Sequence, residues 1–160
     1  MILDKKALSL YSLVMLPVVI AAVWFVYWQT YRPEPTPVSV PEGSVAVSIG
    51  GKTLLAEIAD TPATRELGLG LRDALCTDCA MLFLFDQPGR YAFWMKGMRF
   101  PLDLAWIRDG KIVSIEKNIP ADSTEIMTPD IAVTEVLETN AGALFEVNIG
   151  DAIETGAVLE

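Results

Sequence analysis

Trp94, Lys96, Arg99 and Asp103 fall within ten positions of one another, on the heels of two apolar runs, MLFLF (81–85) and YAFWM (91–95). An indole face, two cations and a carboxylate so close together are the materials of a cleft. The ring can stack on a planar or sugar face while a cation holds an anionic group. Arg65, upstream, is a further cation that could reach the same place, so Arg65, Trp94, Lys96 and Asp103 form the candidate ligand-binding set. In a strand, Asp103 shares a face with Ala105 and Ile107 and lies opposite Leu102, Leu104 and Trp106. A carboxylate on a partly apolar face needs a partner, and Arg65 or Lys96 could supply one. The bland reading is an ion pair that fixes the fold. The functional reading is a binding cleft, or an enzyme with Asp103 as general base and Arg65 or Lys96 stabilising negative charge. No second carboxylate is clearly paired with Asp103, which leaves a glycosidase little support.

Cys76 and Cys79, in CTDC, are the other reactive pair. Two thiols three apart can close a small disulfide loop in an oxidising compartment. A thioredoxin-type site would put the motif at a helix start after a strand, whereas here a helix-like segment precedes it and a strand follows. A structural disulfide, reduced thiols, an incomplete metal site and a thiol oxidoreductase all stay open. Zinc wants four ligands, and the chain has no histidine to complete the set, so no metal and no cofactor is expected. The same absence excludes Ser-His-Asp and Cys-His catalysis. GLGL (68–71) lacks the Lys-Ser/Thr of a phosphate loop and does not follow a strand.

The elements that must position these residues read as short strands. SVAVSI alternates apolar and polar, Gly50-Gly51 signals a hairpin, and KTLLAEIAD returns. Thr61-Pro62 is an N-cap followed by proline, so a short helix or two turns is predicted over PATRELGLGLRDAL. MLFLF reads as a buried strand, DQPG as a turn and YAFWM as the next strand. LDLAWIR and KIVSIEK flank Asp109-Gly110, a strong hairpin signal. IAVTEVLET is another strand, AGALFEV a short helix capped by Asn140, and AIET a last strand. Strands that outnumber helices and are mostly joined by tight turns favour a compact β-barrel or sandwich-like domain.

Ahead of this domain, residues 7–28 run 22 positions without a charge. As a helix they would be roughly 33 Å long, enough for a bilayer core of about 30 Å. The run is longer than a signal peptide's apolar region and no small-residue cleavage motif follows it, so an uncleaved anchor is expected. Lys5 and Lys6 before the span, against Arg32 after it, place residues 1–6 in the cytoplasm and the domain outside. Residues 29–43 are proline-rich and read as a stiff linker to a domain at 44–160. Net charge is −9, and residues 118–160 hold nine acidic side chains and no Lys or Arg. Such a surface repels nucleic acid. The basic island at 90–117 would meet the acidic half of its own domain or an anionic ligand.

The order of residues resembles the domain-of-unknown-function 192 family. The matching elements are Arg65-Glu66-Leu67-Gly68-Leu69 with Arg72, Met81-Leu82-Phe83 with Phe85, Phe93-Trp94-Met95-Lys96, Pro101-Leu102-Asp103, and Val136-Leu137-Glu138 before Asn140-Ala141-Gly142. They run from about residue 45 to 154. The resemblance implies a small closed β-barrel with a surface cleft and brings no established activity. Two departures stand out: Gly97-Met98 where the family usually has Asn-Thr, and Gly70 where it usually has Met. The expected protein is therefore mainly β with one or two short helices, a small closed barrel behind a single transmembrane helix. Its expected role is a tethered accessory module on the extracytoplasmic side, binding a small ligand or an envelope protein without turnover. An envelope-acting enzyme and a thiol oxidoreductase are the rivals.

Overall fold

The computed structural model describes residues 18–27, 30 and 43–158, which belong to two units, Met1–Val38 and Ser39–Glu160. In the first, residues 18–27 and 30 are helical. Among the described residues no helix is long and apolar enough to cross a membrane. The expected span 7–28 is described only over 18–27, and residues 1–6 and most of the linker 29–43 lie outside the described residues.

The second unit is mainly β. Its strands are β1 (Val45–Ile49), β2 (Lys52–Ala59), β3 (Cys79–Gly89), β4 (Phe93–Trp94), β5 (Leu102–Arg108), β6 (Lys111–Ile119), β7 (Ile126–Met127), β8 (Val133–Asn140) and β9 (Ile153–Val158). One short helix, Pro62–Leu67, follows β2. Both expected hairpins form, and their tips have the positive φ that such turns need: 56° and 74° at Gly50 and Gly51, 53° and 68° at Asp109 and Gly110. The helix begins as its sequence predicts. Thr61 and Thr64 make a reciprocal capping box, and Pro62 occupies a first-turn position where no N–H is needed.

Seven strands form one sheet in the order β6-β5-β8-β3-β2-β1-β9, and β4 pairs with β7. The expected closed barrel is not formed; the sheet is curled and open. β6 and β9, its two edges, approach at one end only, through a single bridge between Lys111 and Ala152. The amide of Ile112 donates to Asp151 O and that of Ile153 to Gly110 O. Further along β6, Lys117 Nζ donates to the carbonyls of Phe145 and Val147, so segment 141–150 stands beside β6 where a closing ladder would run. This same segment, AGALFEV in part, is not the expected helix. It is a chain of turns with bonds from Ala143 to Asn140, Phe145 to Gly142 and Val147 to Leu144, each spanning three residues. DQPG is not a turn either, because β3 continues to Gly89 after its register shifts past Leu84. YAFWM contributes only Phe93 and Trp94 to a strand.

One pairing departs from the expectation of tight turns. β2 and β3 run parallel, with Glu57 opposite Met81, and the helix and the loop after it form the crossover between them. Parallel neighbours need such a crossover, and this one supplies a wall of the site described below.

The sheet separates two apolar clusters. One is built on Val47, Leu54, Leu82, Ile107, Leu137 and Leu144. The other gathers Leu69, Met81, Phe83, Met95, Leu104, Trp106 and Val136. Alternation along each strand sends successive side chains to one or the other.

Candidate functional site

At the rim of the second cluster a cleft of about 410 Å³ opens between the helix with its following loop and the 91–98 segment. Arg65, Trp94 and Lys96 line it; Asp103 does not. The structure thus brings together three of the four residues singled out by sequence.

Each reaches the cleft for a local reason. Trp94 pairs with Ile126 and Phe93 with Met127. Alternation turns Phe93 and Met127 toward the core, while Trp94 stands 53% exposed. Phe93 meets Phe83 and Trp106 edge-to-face, at 4.9 and 6.1 Å between ring centroids. Lys96 follows in the turn after β4 and has no ion pair or hydrogen bond among the described residues. Arg65, in the last turn of the helix, donates from Nη1 to the carbonyls of Asp60 and Leu84 at 2.6 and 2.7 Å, with its guanidinium 5.2 Å over the Phe85 ring. Phe85 in turn stacks on Tyr91 at 3.5 Å. Arg65 therefore fastens the helix to β3 and to the residue that follows β2, and among the described residues its charge meets no carboxylate. The two walls are joined below Lys96, where the Leu71 amide donates to Gly97 O at 3.0 Å.

Asp103 is fully buried elsewhere. Its Oδ1 accepts from the Asn118 amide at 2.7 Å and its Oδ2 from the Leu144 amide at 2.9 Å. The expected partnership with Arg65 or Lys96 is not made. β6 bulges opposite Asp103: Leu102 pairs with Ile119 but Leu104 with Glu116, and Asn118 has φ 54°. The carboxylate satisfies one amide of that bulge and one of the 141–150 turns, a structural duty that leaves neither oxygen facing a ligand.

Glu138 is the site residue that the candidate set lacks. It sits in β8, opposite Met81 and Leu104, on the face of the second cluster, and it lines the cleft. Its Oε2 is buried with no hydrogen-bond partner. Burial pushes its carboxyl up to about 8, against a donation from the Leu69 amide and the positive charge of Arg72. At neutral pH Glu138 is therefore an uncharged acid with a hydrogen-bonding edge to spare. Gly68 borders it: a Cβ there would stand in ordinary contact with Phe83 Cζ (3.4 Å) and Glu138 Oε2 (3.7 Å), and it is the positive φ of 53° that calls for glycine. The sequence signal was an acid on the same strand face as Val136 in VTEVLET. Charge alone did not reveal it, since Glu135, three residues earlier in the same strand, faces the other side.

Arg72 is held by Glu57 in a bidentate pair at 2.5 and 2.9 Å, which raises the guanidinium's already high proton affinity. The row Glu57–Met81–Glu138 crosses three neighbouring strands, so the two glutamates flank one methionine with Arg72 serving the outer one directly and the inner one through space.

Cys76 and Cys79 are joined as a disulfide, with Cα atoms 5.1 Å apart, at the entry to β3. Asn140 Nδ2 donates to the carbonyls of Leu75 and Cys76, pinning this loop to the end of β8. The pair lies outside the cleft lining. Among the described residues no cluster of His, Cys, Asp or Glu has the makings of a metal site.

Residues 45–155 match the family model for domain of unknown function 192, described as uncharacterized ACR. The chain belongs to the DUF192 family. Solved structures that share its fold include the following two. One, from Sinorhizobium meliloti, is described as a candidate transcription regulator; it is 34% identical over 71% of this chain and 95% of its own, with a TM-score of 0.67. The other, from Novosphingobium aromaticivorans, is a protein of unknown function, 29% identical over 80% of this chain and 96% of its own, with a TM-score of 0.66. No curated protein matches the chain.

The two departures from the family pattern now have positions. Gly97 has φ 80°, the left-handed region that glycine adopts freely, and it places no side chain beside Lys96. Met98 lines the cleft, giving it an apolar thioether. A Cβ at Gly70 would stand 2.9 Å from Leu67 O, so the loop in this protein is folded tightly around a glycine.

Proposed function

We propose that this DUF192 domain is a binding module that takes a small ligand into the cleft between the Pro62–Leu67 helix and the Trp94 segment, without chemical turnover. The observation that carries the reading is the combination at the mouth of a 410 Å³ cleft of an exposed indole, Trp94, and an unpartnered ammonium, Lys96. An exposed tryptophan beside aromatic walls gives a ligand apolar contact at low entropic cost, and a free cation gives it a charge to meet. The enzymatic alternative built on Asp103 loses its general base, because both oxygens of that carboxylate already accept backbone amides. The regulator description of the Sinorhizobium relative is not adopted for this chain, whose C-terminal 43 residues hold no Lys or Arg to meet a phosphate backbone.

We further propose that residues 7–28 tether the domain on the extracytoplasmic side of the cell membrane. In support, helical residues Val18, Val19, Ile20, Val23, Trp24, Phe25, Val26 and Tyr27 are all 54–64% exposed, an apolar surface on every side of the helix that water would not favour. Full-length protein should stay in the membrane pellet after carbonate washing; release into the supernatant would overturn the tether.

The binding reading is tested by ligand-observed NMR of the full-length chain against a panel of small envelope metabolites. Hits should disappear in Trp94→Ala and weaken in Lys96→Ala. A panel with no hits, or hits indifferent to both substitutions, would sink it.

A further inference from the structure

Resting on that reading, we propose that Glu138 is the recognition group of the cleft, donating a hydrogen bond from its carboxyl to an oxygen of a small monocarboxylate ligand with an aromatic or branched apolar body. Three observations set the class. Phe83, Phe93 and Met98 line the interior, so the body of the ligand is apolar. Oε2 of Glu138 is the buried side-chain polar atom left without a partner among the described residues, and it belongs to the same lining. Leaving such an atom unpaired is costly, and a ligand that engages it recovers that cost. The charges around the cleft are Arg65 and Lys96 on its walls, with Arg72 behind Glu138, against the single carboxylate of Glu66. That balance draws in an anion and repels an amine.

The chemistry is self-consistent. An uncharged carboxyl donating to a carboxylate forms a charge-assisted hydrogen bond in a partly dry site, among the stronger kinds available to proteins. Two ionised carboxylates could not share the same floor, so binding requires Glu138 to keep its proton. The groups that face Glu138 are Leu69 N–H and Arg72 from the loop after the helix, Glu57 of β2 through Arg72, Arg65 and Glu66 of the helix, and Tyr91 and Lys96 from the opposite wall. The chain contains no histidine to add a competing titration. A sugar is a poorer fit, since its ring of hydroxyls would meet one interior polar side chain and many ring edges.

The test uses the full-length chain with phenylacetate and its neutral amide, phenylacetamide, measured by calorimetry from about pH 6 to about pH 9. Phenylacetate should bind about tenfold tighter than the amide at the acid end and lose about tenfold or more as Glu138 ionises. Glu138→Gln keeps a donor without a titration, so it should retain binding and lose the pH dependence. Glu138→Leu should abolish binding of phenylacetate. Lys96→Ala should weaken phenylacetate several-fold and leave the amide unchanged. A flat pH profile in the wild type, or undiminished binding in Glu138→Leu, overturns the proposal. Binding of the amide alone, sensitive to Trp94→Ala, overturns the carboxylate assignment and leaves the cleft a binding site. If neither probe binds, the carboxylate assignment falls, while the broader reading stands or falls with the metabolite panel.

Discussion

At the scale of single residues, two buried carboxylates in one small domain have opposite fates. Asp103 is satisfied by two backbone amides and Glu138 is left with one oxygen unmet. Asp103→Asn replaces one accepting oxygen by an amide group that faces an N–H, so we expect a loss of about 2–4 kcal/mol in urea denaturation. Its phenylacetate affinity, measured where the variant is folded, should match the wild type. Glu138 predicts a slope instead. Its carboxyl titrates near 8 in the folded chain against an ordinary 4.5. Below the lower value both states hold the proton and the stabilising contribution is complete. Between the two the unfolded chain has released it and the folded chain has not, so stability falls with rising pH by up to about 1.4 kcal/mol per unit. Above the upper value both are ionised and the slope ends. Glu138→Gln should flatten this part of the pH–stability curve; a curve identical to the wild type would show that Glu138 does not titrate there.

At the scale of elements, the cleft exists because a crossover was folded tightly enough to leave it. Gly68 ends the helix at φ 53° and ψ −138°, a region that side chains with a Cβ avoid. Gly68→Ala should cost about 1–3 kcal/mol in thermal or urea unfolding and narrow the floor between Phe83 and Glu138. The neighbouring Cys76–Cys79 loop is very short, so its closure restricts the unfolded chain little. Reduction should lower stability by about 2 kcal/mol without changing the denaturant m-value, on chain-entropy reasoning. Fold and site were unequally legible at this scale. The capping box, both glycine-tipped hairpins and the apolar strands were readable because each depends on residues adjacent in sequence. The parallel pairing of β2 with β3, the continuation of β3 through Pro88, and the turns at 141–147 depend on partners far away. In the same way Arg65, Trp94 and Lys96 were found by their chemistry, whereas Glu138 required knowing which face of β8 meets the cleft.

At the scale of the whole molecule, the open seam separates a protected interior from two edges. β8, β3 and β5 are flanked on both sides, while β6 and β9 touch through one bridge. Amide hydrogen exchange should be slowest in β3, β5 and β8 and fastest in β9 and the second half of β6. Equal protection of β6 and β9 with the central strands would indicate a closed barrel in solution. Residue types and spacing alone were enough for the family, the β-rich character, the apolar stretch at 7–28, and Arg65, Trp94 and Lys96 among the residues that line the cleft. All of these are properties of residue type and local spacing. Only the tertiary structure decided that the sheet stays open, that Asp103 buttresses a bulge, and that Glu138 lies orphaned at the site. Those outcomes are set by register across strands and by burial, which bring together groups far apart along the chain, such as Asp103 with Leu144 and Glu138 with Leu69, and change what a carboxylate is.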